Sequence, residues 1–206
     1  MRISMKIKKK KLTGKIYLLQ FKTRKDMAEV FLRFQEHYES PEFMGKIFTH
    51  KEFKEWYKKI RGKEYFEDWD GFNLPFSALK PFREGKFNPL TSGEKKLLSL
   101  FKNTKDGFYI VAFHGGGHHL FGHELAHALF YTNPEYKKKI LTVLKKYDLK
   151  HIKEELLSTG GYSKKVLNDE IQAYTVSLLH ELNSEIPKEM SRKINEIFAI
   201  YCPKIF

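Results

Sequence analysis

Phe121-Gly-His-Glu-Leu-Ala-His-Ala-Leu-Phe130 is the stretch from which the rest of the chain is read. On a helix, positions four apart stand one above the other on the same face. His123 and His127 therefore direct their imidazoles at one spot, at a separation that a single tetrahedral Zn²⁺ can bridge. Glu124 follows the first imidazole and lies beside that spot, where a carboxylate can take a proton from water. Leu125, Leu129 and Phe130 give the helix an apolar side to bury, while Ala126 and Ala128 let a second element approach.

Upstream, Phe108-Tyr-Ile-Val-Ala-Phe113 is a strong strand by its β-branched and aromatic content. It leads through His114-Gly-Gly-Gly117 into the helix and is expected as a sheet edge on which an extended peptide can lie. His119, four residues before His123, forms a competing metal pair without an adjacent Glu; His114 and His118 are weaker candidates still. Downstream, Asn133-Pro134 supplies an N-cap and a first helical residue. The helix it opens, at about 134–147, buries Tyr136, Ile140, Leu141 and Leu144. A short helix stops before Gly160-Gly161, Ser163 caps a long one at about 164–182, and Pro187 opens a last one with Ile194, Ile197, Phe198 and Ile200 as core residues.

The first hundred residues read as a hairpin followed by helices. Residues 5–11 and 15–21 flank Thr13-Gly14, a tight turn. Thr23 caps a helix over about 24–38 whose apolar face is Met27, Val30, Phe31 and Phe34. A second helix, at about 50–60, carries Phe53, Trp56 and Tyr57 and closes at Gly62. Residues 63–90 show neither period and are rich in aromatics, so they are expected as an ordered loop packed on the body. Asp68 and Asp70 within it are turn-formers or metal-touching acids. Thr91-Ser-Gly-Glu94 is a capping box for a short helix burying Leu97, Leu98 and Phe101.

Composition narrows the classes. The 206 residues are 41% hydrophobic and 15% aromatic, which describes a folded chain with a real core. Cys202 is the single cysteine, so no internal disulfide forms and a reducing compartment is expected. No stretch approaches the roughly 18 apolar residues of a membrane span, and the protein is placed in the cytoplasm. The net charge of +13 comes from lysine far more than arginine. Few arginines mean few bidentate phosphate contacts, so contact with nucleic acid is expected to be weak and the charge to be general surface. A composition rich in Lys, Glu and Ile is also that of thermostable proteins.

Residues 108–175 carry a resemblance: the His-Glu-Leu-Ala-His run is similar to the zincin metallopeptidases. Zincins differ in their third protein ligand. The extended form, with a Gly and a third His soon after the helix, is absent, because Ala128 to Tyr136 contains no His. A form using a later His would take His151. The gluzincin form uses a Glu on a following helix, after a polar residue and three before a small one; Asp169-Glu170-Ile171-Gln172-Ala173 looks like it, with Asp169 a further candidate. Thermolysin-like gluzincins place an Asp four residues after that Glu, where this chain has Tyr174. A phenol there can stabilise an oxyanion, and Tyr131 competes for that role.

The resemblance implies an α+β, zincin-like fold in one domain. A small mixed sheet and the active-site helix would form an upper lobe (1–132), and helices a lower lobe (133–206). It further implies one Zn²⁺ per chain on His123, His127 and Glu170, with Glu124 and Tyr174 catalytic. The activity would be peptide-bond hydrolysis of a peptide or protein substrate, by Glu-assisted attack of a zinc-bound water. Two other classes stay open: a catalytically restrained zincin serving as a regulatory or interaction module, and a nucleic-acid-associated protease.

Overall fold

Parallel strands cannot be joined by a tight turn, and the sheet of this protein is built on one such pair. The computed structural model describes residues 6–115, 121–158, 164–177, 182 and 184–202. Strands β1 (Lys8–Thr13) and β2 (Ile16–Phe21) form the expected hairpin, with Gly14 at φ +47° in its turn. Helix α1 (Arg24–Glu39) starts where the Thr23 hydroxyl accepts from the Asp26 N–H, and α2 (His50–Arg61) ends on left-handed Gly62. Strand β3 (Gly71–Pro75), a single turn α3 (Lys80–Arg83) and α4 (Ser92–Leu100) follow. Strand β4 (Tyr109–His114) then pairs parallel with β2 and antiparallel with β3, giving a mixed sheet of order β1-β2-β4-β3.

Two expectations are corrected here. Residues 63–90 hold β3, α3 and short 3₁₀ turns at Tyr65–Glu67 and Phe76–Leu79, not one irregular loop. Gly71 opens and Pro75 closes a five-residue strand, so Phe72 and Leu74 alone carry its alternation. An edge position tolerates the proline, which lacks a ladder donor. Strand β4 is not a sheet edge either: β2 and β3 occupy both its sides. Its hydrogen-bonding groups are spoken for, so it cannot receive an extended peptide.

The core of this part lies between the sheet and α1. Met27, Val30, Phe31 and Phe34 are buried as expected, and Phe31 stacks on Phe72 with ring centres 5.2 Å apart. One charged pair sits inside. Arg33 grips Glu94 through two bonds of 2.7 and 2.6 Å, and the same carboxylate accepts the Thr91 N–H that caps α4. Burial pushes Glu94 up, but hydrogen bonds from Arg33, His50 and the Thr91 backbone outweigh it and hold the group at about 2.

The chain divides into two compact units, Met1–Gly117 and His118–Phe206. The second is helical: α5 (Phe121–Thr132), α6 (Pro134–Leu144), α7 (Lys150–Ser158), α8 (Leu167–Ser177) and α9 (Lys188–Tyr201). The imidazole-bearing α5 thus groups with the helices after it. Helix α8 starts at Leu167, with 164–166 in a turn, so Glu170 stands in its first turn; Ser163 lies outside the described residues. On α9, Met190 and Ile194 are buried but Ile200 is 72% exposed. Six positions from Ile194 is about 240° around a helix, which turns Ile200 away from the core. Among the described residues no helix is long and apolar enough to cross a membrane.

Two substitutions test these buried acids by chemical denaturation. Glu94→Ala leaves Arg33 charged and unpaired, and should cost about 3–5 kcal/mol. Glu36 behaves oppositely. It is buried beside the Tyr65 hydroxyl, which donates to it at 2.6 Å, and burial raises it from 4.5 to about 7. A raised carboxyl stabilises below its unfolded value, and that contribution is lost as pH rises through its folded value. Stability should fall by roughly 3 kcal/mol between pH 4.5 and 7 on this account, and Glu36→Gln should flatten that limb. An unchanged limb in the variant would assign it to another group.

Candidate metal centre

Alanines decide how closely the two site helices meet. Ala126 and Ala128 on α5 and Ala173 on α8 are fully buried, and α5 packs chiefly against α8. Gly122 continues the contact: a Cβ there would touch the Val176 side chain at 3.6 Å. This approach sets the first turn of α8, with Asp169 and Glu170, beside His123 and His127. Acidic groups in that turn face the partial positive charge of the helix N-terminus.

His123, Glu124 and His127 are all buried. Nε2 of His127 lies 3.1 Å from Nε2 of His123 and 3.6 Å from Oε2 of Glu170. Ligand atoms of His123, His127 and Glu170 all fall within 4.8 Å of one another. A tetrahedral ion with bonds of about 2.0–2.1 Å holds its ligand atoms roughly 3.3 Å apart. The two-imidazole, one-carboxylate set therefore fits a divalent metal ion, and these three residues can hold one.

The other nitrogen of His127 is also engaged. Nδ1 stands 3.0 Å from Oδ1 of Asp169. The Gln172 amide donates to that same oxygen at 3.0 Å, and the buried Tyr136 hydroxyl donates to Gln172 Oε1 at 2.7 Å. Three side chains in series thus fix the His127 ring with Nε2 facing His123 and Glu170. Adjacent helical positions point about 100° apart, yet Asp169 and Glu170 both reach this imidazole, one at each nitrogen. On His123, Nδ1 lies 3.4 Å from the Ser177 hydroxyl, and the Tyr174 ring meets the imidazole edge-on at 5.0 Å.

Charge is concentrated here. Burial pushes His123 down to about 2, with the neighbouring His127 adding to it and the Ala173 backbone opposing. Burial also opposes charge on His127, but Asp169, Glu170 and Glu124 outweigh it and raise that group to about 10. Of the two imidazoles, His127 thus favours the proton and His123 disfavours it. The three carboxylates around them call for a cation, and a divalent ion meets that demand with release of the proton.

The expected residues separate cleanly. His123, His127 and Glu170 come together, with Glu124 and Tyr174 beside them. His151 is exposed on α7 and takes no part in the metal-ligating group found among the described residues. Tyr131 is 45% exposed. Asp68 bonds to Tyr57 and Lys63, and Asp70 to Arg24 and His114. His118 and His119 lie outside the described residues. Three contributors were not foreseen: Asp169 as the orienting acid, Gln172 and Tyr136. Their signal was a polar i, i+3 pair, Asp169 and Gln172, on a helix otherwise apolar on that side. The chain matches no family model, and no curated protein or solved structure matches it at significance.

Asp169→Ala should keep the three ligands yet weaken Zn²⁺ binding about 10–100-fold, as loss of a ligand's orienting partner does. Glu170→Ala should weaken it more, and His151→Ala should leave it at the parent value. Competition against a chromophoric chelator reads all three. Parent affinity in Asp169→Ala would show that the Nδ1 contact does not orient the ligand.

Proposed function

We propose that the protein is a zinc-dependent peptidase. The observation that carries this reading is a buried two-His, one-Glu group with a further buried carboxylate, Glu124, on the same helix turn as the first imidazole. Two imidazoles and one carboxylate would hold the metal, and that donor set is the one used by hydrolytic rather than structural zinc sites. A purely structural site has no use for Glu124, whose burial carries a desolvation cost.

His123, His127 and Glu170 bind the metal, and Asp169 with Gln172 and Tyr136 holds His127 in the tautomer that presents Nε2. Bound zinc supplies a Lewis acid that polarises the substrate carbonyl and makes water more acidic. Glu124 acts on the proton. Its carboxylate oxygen accepts one proton from the water that attacks the carbonyl carbon and delivers it to the departing amide nitrogen. Tyr174 holds the His123 ring by its edge contact, and its hydroxyl is the proposed oxyanion donor; Tyr174→Phe keeps the ring and separates these roles.

Glu124→Gln provides the test, on an unfolded casein-like substrate with and without chelator. The amide cannot accept the proton, so hydrolysis should fall by about 10²-fold or more while zinc content stays at the parent's. A variant cleaving at the parent's rate would remove Glu124 from the mechanism. A parent that holds zinc but cleaves nothing would turn the reading toward a restrained, regulatory zincin.

A further inference from the structure

The positive charge of this protein is not spread evenly. Residues 1–117 contain 25 Lys and Arg against 14 Asp and Glu, whereas residues 118–206 contain 13 against 11. Almost the whole excess therefore belongs to the first unit, and two of its acids, Glu36 and Glu94, are buried. Between residues 6 and 22 there are seven lysines and no acid.

Local pairing sharpens the contrast. Many exposed lysines elsewhere are matched by an acid four residues away, as in Lys51–Glu55, Lys139–Glu135 and Lys150–Glu154. Lys8, Lys10, Lys11, Lys15, Lys95 and Lys102 have no carboxylate partner among the described residues, and all six are exposed. The fold gathers several of them. Lys9 reaches from β1 to the Leu100 carbonyl at 2.5 Å and lies over the Tyr17 and Phe101 rings, tying the strand to the C-terminal end of α4. Beside that junction is a cavity of about 400 Å³ lined by Arg83, Leu90, Lys95, Leu98, Ser99 and Lys102. It has three cations, two leucines and no acid. Arg83 is held in place, donating to the Phe101 carbonyl at 3.0 Å with its guanidinium over Phe76.

We propose that the first unit binds nucleic acid by its phosphodiester backbone, along strand β1 and into the Arg83, Lys95 and Lys102 cavity at α4. Side chains two apart on a strand share a face at about 6.6 Å spacing, so β1 offers two short rows of cations, Lys9 and Lys11 toward α4 and Lys8 and Lys10 on the opposite face. A polymer with a fixed charge on every repeat suits such a row better than a peptide, whose acids are irregular. Lysines make point-charge contacts with phosphate, and no arginine row is present to read base edges. The binding is therefore indifferent to sequence and driven by counterion release.

Fluorescence anisotropy of the full chain with labelled single-stranded and duplex oligonucleotides tests this across a salt series from about 50 to 200 mM. Lys11→Gln/Lys95→Gln/Lys102→Gln should bind at least about tenfold more weakly at the low-salt end, and the slope of log K against log salt should fall by about three. Lys138→Gln/Lys145→Gln/Lys146→Gln removes the same charge from exposed positions of the second unit and should bind as the parent does. Thermal melting confirms that both variants fold, and the single variant Lys102→Gln repeats the test should the triple one fail to. Equal losses in both triple variants would assign the effect to bulk charge and overturn the proposal. So would the absence of binding at low salt, or tighter binding of poly-glutamate than of either oligonucleotide.

Discussion

Two imidazoles and three carboxylates share a small space in the second unit from which water is largely excluded. Isolated ionised groups in such a place cost several kcal/mol each, so every other feature of the unit has to offset them. The first turn of α8 brings Asp169 and Glu170 with a helix N-terminus behind them. The alanines of α5 and α8 bring those acids within bonding distance of His127. Gln172 donates to the Asp169 oxygen that meets His127, and Tyr136 donates to Gln172, so this chain of bonds ends on a neutral hydroxyl. With larger residues at Ala126 or Ala173 the helices would part, and the same charges would be buried without partners.

The first unit solves a similar problem with a different outcome. Arg33 and Glu94 neutralise one another inside the core, with the carboxylate also capping α4. That pair is closed: one guanidinium balances one carboxylate, and the remaining Arg33 bonds go to the Phe48 and Pro89 carbonyls. The centre on α5 and α8 is open, since its acids outnumber its cations and two nitrogens face an acid across an ion-sized gap. A closed pair specifies packing, whereas an open one calls for a ligand. This difference in charge balance, more than burial itself, separates a group that could hold a metal ion from a pair that only packs.

Much of this was legible beforehand because local rules apply to it. The capping residues Thr23, Thr91 and Asn133 each sit before a helix and accept from its first free N–H groups. The i, i+4 spacing of His123 and His127 placed both rings at one point, and the resemblance over Asp169-Glu-Ile-Gln-Ala173 favoured Glu170 as their partner over His151 and Asp169. What escaped depends on partners distant in sequence. Strand β3 exists because β4 pairs with it, and five residues between a glycine and a proline show no period of their own. The central place of β4 is likewise a property of the sheet order. Asp169 looked like a rival ligand because a sequence cannot show that the two nitrogens of one imidazole accept partners from different sides.

The acid excess at the centre also bears on the proposed chemistry. With Glu124, Asp169 and Glu170 ionised and both imidazoles neutral, one divalent ion leaves the site with a single excess negative charge. A proton on Glu124 removes that excess. In the proposed mechanism Glu124 is the acid not used to hold the metal, and taking a proton from water brings the site to neutrality. Asp169 therefore contributes twice within the unit: it fixes the ring of His127 and adds one of the negative charges that a bound cation would balance.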